Sequence, residues 1–381
     1  MIAAGRAERI ARAVPVNEPL IGERETEYVL DCMRSGWISS EGPYVGRFER
    51  AWAAYCGARH GVAVSSGTAA LEAAVAALRL APGDEVIMPA FTIISCAQAV
   101  IAAGAVPVLV DADPRTWCMD AGQVLRRVTE RTRAIMAVHT YGHPVDMEPL
   151  RAVAGERGLA IIEDAAEAHG AEYRGQRAGS LGDIACFSFY ANKIITTGEG
   201  GMVLTDDDEL AERVRSYRNL AFRADRRFYH TEPGQNFRMT AVQAAIGLAQ
   251  VEEADARIDR KRAIACRYGE LLAEVPGLRL PVEEAWARNV YWMYGVVLDE
   301  ATGIDAAAFA ARLRGRGVDT RPFFLGMHEQ PVLRDRGLFA GERYPVAERI
   351  ARQGLYLPSG LALADDDIAY VAASVREELS R

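Results

Sequence analysis

Between residues 60 and 206, short β-branched apolar runs alternate with Ala- and Leu-rich stretches of helical period. HGVAVSS (60–66), DEVIMP (84–89), VPVLVD (106–111), RAIMAVHTYG (133–142), LAIIED (159–164), DIACFSFY (183–190) and GGMVLTD (200–206) read as strands. GTAALEAAVAALRL, AQAVIAAG and MEPLRAVAGERG, which lie among them, read as helices. The strand runs are nearly continuous in apolar character rather than alternating, as expected of strands buried on both faces. The pattern predicts an α/β fold with a largely parallel sheet between helices. Beyond it, DDDELAERVRSYRNLAF reads as a helix, 219–239 as a polar, Arg-rich loop, and 241–275 as one long helix or two with a break. A strand at YWMYGVVLD and helices at AAAFAARLRGRG and DDDIAYVAASVREEL then predict a smaller α+β domain. We expect a large domain over residues 1–250, with an N-terminal extension at 1–13, and a small one over 251–381.

Charge narrows the function classes. The 381-residue chain carries 44 basic and 52 acidic residues, a net charge of −8, which lacks the footprint of a nucleic-acid binder. No uncharged apolar run is long enough to predict a transmembrane helix, and MIAAGRAERIARAVP does not read as a signal peptide. The six cysteines have no metal-ligand spacing and are expected to be reduced thiols of a cytoplasmic protein. His139, His143 and His169 are expected to serve packing or the surface, and no metal site is expected.

One count bears on chemistry. Only two of the basic residues are lysines, Lys193 and Lys261. A chain that otherwise uses Arg for positive charge keeps Lys where an amine must lose its proton and attack a carbonyl. Lys261, in RIDRKRA, is expected on a solvated helical face; Lys193, in FYANKIITTGEGG, is the candidate nucleophile. SSGTAAL (65–71) places Gly67 and Thr68 at a helix start, which is either an anion site or an ordinary capped turn. Asp164 ends a buried strand, where open α/β sheets bind ligands, although a capping role would account for it equally. Ser188 lies five residues before Lys193. An amine, a hydroxyl, a strand-end carboxylate and a helix-start anion site are together what pyridoxal phosphate requires.

The phrases SGWISSEGPYVGRFE, SSGTAAL, GDEVIMPAFT, IIEDAAEAHGA, FSFYANKIITTGEGGMV, NFRMTAVQAAIG and RPFF resemble the DegT/DnrJ/EryC1/StrS sugar aminotransferases. The resemblance runs from VPVNEPLIGERE (14–25) to LYLPS (355–359). It implies the type I pyridoxal-phosphate aminotransferase fold, with a mostly parallel seven-stranded sheet. It implies that Lys193 forms the Schiff base and shuttles a proton, that Asp164 meets the pyridine nitrogen, and that Gly67, Thr68 and Ser188 hold the phosphate. Asn236 would reach the cofactor phosphate of a neighbouring subunit, which requires a homodimer. Glu167 stands where many relatives have His or Gln near the ring hydroxyl or substrate. Many relatives stack an aromatic at position 93; here it is Ile93, and Phe91 is assigned to the cofactor instead. Asn289, Arg321 and His328 match positions near the substrate.

The implied reaction passes the amino group of L-glutamate, by way of pyridoxamine phosphate, to a nucleotide-linked 4-keto-6-deoxy sugar. The segment around Lys193 is most similar to that of family members acting on GDP-4-keto-6-deoxymannose. A 3-aminotransferase of the mycosamine type is the alternative. A sugar dehydratase of this scaffold would have His in place of Lys193, and a non-catalytic regulator would not need Lys193, Asp164 and Ser188 together. The Arg residues at 218, 223, 226 and 227 would face a nucleotide diphosphate or form a solvated loop.

Overall fold

The computed structural model describes residues 12–223 and 225–380, so most of the expected N-terminal extension lies outside the described residues. Helix α1 (Glu23–Ser35) and helix α2 (Pro43–Cys56) precede the sheet. Five strands follow in the expected places: β1 (His60–Val64), β2 (Glu85–Pro89), β3 (Val106–Val110), β4 (Thr132–Val138) and β5 (Ala160–Asp164). Ile184–Ser188 and Gly201–Thr205 complete a seven-stranded sheet. Its spatial order is β1, 201–205, 184–188, β5, β4, β2, β3. Only 201–205 runs against its neighbours; every other pairing is parallel. All five residues of β2, of 184–188 and of 201–205 are buried, so both sheet faces are covered there.

Two helices are built into the site. Helix α3 (Gly67–Ala77) starts directly after β1, and Ser66 caps it by accepting a hydrogen bond from Ala69 N at 3.1 Å. Helix α4 (Ser95–Ala102) follows β2. The predicted long helix is two, Ala241–Glu252 and Ala254–Leu272, meeting at Glu253. Glu25 of α1, fully buried, accepts from Arg257 at 2.8 Å and clamps the N-terminal helix onto the second of them.

The C-terminal region holds a four-stranded antiparallel sheet in the order 278–279, 294–298, 354–357, 321–322. Its core is a second apolar cluster in which Tyr268 stacks on Tyr294 at 4.8 Å between ring centres. Val14 belongs to that cluster, so the start of the chain packs on its end. Lys261 departs from expectation. Rather than lying on a solvated face it is 2% exposed, and its Nζ donates to the carbonyl of Ser359. No carboxylate pairs with it among the described residues, and burial pushes its pKa down to about 7. The alternation of Arg and Asp around it made the helix look polar all round, but its inward face covers the small-domain core.

Candidate active site

Three strands that run in the same direction end at the same side of the sheet, 184–188 beside β5 and β1 one strand away across 201–205. β1 runs out through Ser65 and Ser66 into α3, β5 ends on Asp164, and the next strand ends on Ser188. Their carboxyl ends open onto a cleft of ≈ 350 Å³ whose lining includes Gly67, Thr68, Asp164, Glu167, Ser188 and Lys193. Gly67 and Ser188 are in close approach: a Cβ at Gly67 would lie 2.6 Å from Ser188 Cβ. A side chain there would close the gap between the helix start and the Ser188 hydroxyl. The amides of Gly67 and Thr68 have no backbone partner among the described residues, as expected for the first turn of a helix. Thr68 Oγ1 lies 2.9 Å from Ser95 Oγ, which adds a second hydroxyl at this end.

Asp164 is 2% exposed and held at both oxygens. Cys96 Sγ donates to Oδ2 at 3.1 Å and Ala166 N to Oδ1 at 3.1 Å. Glu167, three residues on, is also buried, and its Oε2 accepts from Tyr141 N at 2.7 Å. Tyr141 makes this bond from the left-handed region (φ 54°), an unfavourable backbone state for an aromatic residue that neighbouring packing enforces.

Lys193 sits in the turn after 184–188, its amide donating to Tyr190 O at 2.9 Å. Its Nζ lies 3.8 Å from the ring centre of Trp292. Burial lowers its pKa against the opposing pull of the Glu167 and Asp164 charges, favouring an amine able to act as nucleophile and base. Burial likewise raises the Glu167 carboxyl, to about 7, outweighing the nearby lysine. His169 lies behind Ser188, its Nε2 donating to Ser188 O at 2.9 Å; burial, with Lys193 adding to it, pushes it down to about 3 and keeps it neutral.

Not every expected residue reaches this cleft. Phe91 does not line it. It is fully buried against Tyr141, Phe323 and Phe324, and Ile93, 40% exposed, presents the wall instead. The chain bends at residues 90–92 directly after β2, and the aromatic lies on the core side of that bend. Asn289 is buried on a different small cavity, donating to Val282 O at 3.1 Å and accepting from Tyr291 N at 2.8 Å. His328 is buried against Tyr344, 3.2 Å from Glu348 Oε1. Both are bound into the framework beside the cleft rather than exposed in it. Arg321 lines an adjoining cavity that shares Tyr190, Asn192 and Tyr356 with the cleft. Asn236 is exposed on the 219–239 loop and does not line this chain's own cleft. Arg218 binds Glu49 and Ala63 O at 2.5 and 2.6 Å, a framework role, whereas Arg223, Arg226 and Arg227 lie on the exposed loop. His139 Nδ1 accepts from Val145 N at 3.1 Å, so its Nε2 is the donor to Glu163, also at 3.1 Å.

Comparison with known proteins places this arrangement. Residues 19–376 match the DegT/DnrJ/EryC1/StrS aminotransferase family. The chain belongs to that family. The GDP-perosamine synthase of Caulobacter vibrioides is 43% identical over 96% of this chain and 98% of its own. The dTDP-3-amino-3,4,6-trideoxy-alpha-D-glucose transaminase of Streptomyces venezuelae is 39% identical over 89% and 88%. Among solved structures, the aminotransferase TlmJ from Streptoalloteichus hindustanus superposes with a TM-score of 0.90 at 34% identity, covering 96% of this chain and 99% of its own.

The chain is thus a pyridoxal-phosphate-dependent sugar aminotransferase with the expected fold. The residues present fit that cofactor. The space kept by Gly67 beside Ser188, with free amides at a helix start, suits a phosphate, and a buried carboxylate stands at the end of β5 for a protonated ring nitrogen. The sequence reading did not single out Trp292, Asn192 or Tyr356 as cleft residues. Asn192 and Tyr356 lay inside phrases already quoted; Trp292 was read only as part of a strand, and nothing local marks it as facing another domain's lysine.

Proposed function

We propose that this aminotransferase passes the amino group of L-glutamate to the C4 keto group of GDP-4-keto-6-deoxymannose, giving GDP-perosamine, as a cytoplasmic homodimer. The observation that carries the substrate is the near end-to-end match to a GDP-perosamine synthase. Bound in the cleft, pyridoxal phosphate supplies an aldehyde that condenses with amines and a pyridinium ring that takes up the electron pair of a broken C–H bond. The Gly67 and Thr68 amides and the Thr68 and Ser188 hydroxyls hold its phosphate, and Asp164 keeps the proton on its ring nitrogen. Lys193 is the amine with which that aldehyde would condense. Once displaced, Lys193 Nζ takes the proton from the carbon bearing the donor's amine, and in the second half-reaction it delivers a proton to the sugar carbon. The half-buried aromatic wall of Phe324 and Tyr356 limits water at that amine. Asn236, exposed on its loop, would complete the phosphate site of a second copy.

The test is a half-reaction titration. Enzyme converted to its amine form with glutamate and freed of excess donor is mixed with GDP-4-keto-6-deoxymannose or dTDP-4-keto-6-deoxyglucose. Return of the aldehyde-form absorbance with the GDP sugar, and a 4-amino product by mass spectrometry and NMR, is expected. A second reading, transfer to C3 of a dTDP sugar, draws support from the Streptomyces venezuelae relative. Recovery with the dTDP sugar alone would discard GDP-4-keto-6-deoxymannose as the substrate, and a 3-amino product from a 3-keto dTDP sugar would establish the second reading.

A further inference from the structure

Trp292 stands two residues before Tyr294–Leu298, one of the two inner strands of the small-domain sheet, and is 4% exposed. Its indole meets the Asn192–Lys193 pair twice. The ring face lies 3.8 Å from Nζ, and Nε1–H donates at 2.8 Å to the carbonyl of Asn192, the residue before the lysine. Asn17 Nδ2, from the N-terminal segment, donates to the same carbonyl at 2.7 Å. The indole is itself fixed from behind. Gly142 approaches its backbone so closely that a Cβ there would lie 2.8 Å from Trp292 N, and Tyr141 packs beside its ring at 6.2 Å.

We propose that Trp292 is a positioning residue for the catalytic amine, its indole face holding Lys193 whenever that lysine is free of the cofactor. This rests on the reading of Lys193 as the catalytic lysine. The physical need is clear from the surroundings. Two carboxylates face the amine, Asp164 from β5 and Glu167 from the turn after it, with neutral His169 behind. A free ammonium drawn onto Asp164 would occupy the group that must serve the ring nitrogen. Among the described residues Lys193 forms no ion pair with either acid; its Nζ rests on the indole instead. A ring face attracts a cation strongly where water is excluded, yet holds it without a directional bond, so the amine can swing back to the reacting carbon. Because Asn192 O is tied to the same indole, one side chain sets both the anchor and the tip of the lysine. The small domain thereby supplies a part that the large domain's lysine lacks.

The chain's two lysines make a direct test possible. Holoenzyme labelled with [13Cε]lysine and converted to its amine form with glutamate should show two ε-methylene signals, assigned with Lys261→Arg. The Lys193 protons should be displaced upfield by the indole ring current. Trp292→Leu should abolish that displacement and slow the glutamate half-reaction about tenfold at unchanged glutamate affinity, while Trp292→Phe should restore most of the rate. An undisplaced Lys193 signal in the unmodified enzyme, or Leu and Phe variants equally slow, would overturn the proposal. Failure of the underlying reading looks different: Lys193→Ala would then keep transfer activity, whatever the position of the ε signal.

Discussion

Gly67 and Ser188 share a gap too narrow for two side chains, since a Cβ on the first would lie 2.6 Å from that of the second. Gly67→Ala must therefore push α3 off the strand end. We expect a loss of about 1–3 kcal/mol in stability, as in other overpacked sites, and at least a tenfold weaker hold on pyridoxal phosphate, read by titrating the stripped enzyme with cofactor. Unchanged cofactor affinity would remove Gly67 from the phosphate site. Lys261 gives a prediction with a sign. Its pKa falls from an ordinary 10.5 to about 7 on folding, so between those values the unfolded chain binds more protons and stability rises with pH. The penalty, on the order of 3–5 kcal/mol, is complete below pH 7 and gone above pH 10.5. Lys261→Met removes it but leaves the Ser359 carbonyl unpartnered, at about 1–3 kcal/mol. The variant should melt above the parent at pH 7 and below it at pH 10; a pH-independent difference would show that the amine is not desolvated. Lys261 also shows where single residues were misread: an Arg/Asp-rich face hid a buried amine. Phe91 meets a related limit, since its type but not its side of the chain can be seen in the sequence.

At the level of elements, α3 joins fold stability to cofactor binding through its first turn. Ser66→Ala should cost about 1 kcal/mol through the lost cap and weaken the cofactor several-fold by loosening the amides of Gly67 and Thr68. The matching change Asp207→Ala uncaps the helix Asp208–Arg218, whose Glu209 and Leu210 amides it holds at 2.7 and 2.9 Å, away from the cleft. It should lower the melting temperature comparably and leave cofactor titration untouched. If both variants behave alike, α3 serves the fold only. All seven strands of the main sheet were legible because each is a continuous apolar run closed by polar or small residues. Their order was not, because no local pattern records that the chain returns 201–205 between β1 and 184–188, reversed in direction. The small domain was harder still: two of its strands have only two residues each, too few to show any period.

Taken as a whole, the molecule leaves Asn236 exposed and off the lining of its own cleft. If that loop completes a second copy's site, inactive subunits should rescue one another. Lys193→Ala mixed and exchanged with Asn236→Leu should recover up to about a quarter of normal activity, since half the dimers are hybrids with one intact site each. No recovery after demonstrated subunit exchange would confine each site to one chain. The placement of the two lysines has a further consequence, outside catalysis. One is buried and the other lines the cleft, so the exterior carries its positive charge as guanidinium. Mild acylating reagents meet no side-chain amine on the outer surface, and Lys193 becomes the one they can reach through the cleft. The tag found on Lys193 itself, apart from the α-amino group, would thus report cofactor occupancy, entering when the cleft is empty and shut out when it is filled.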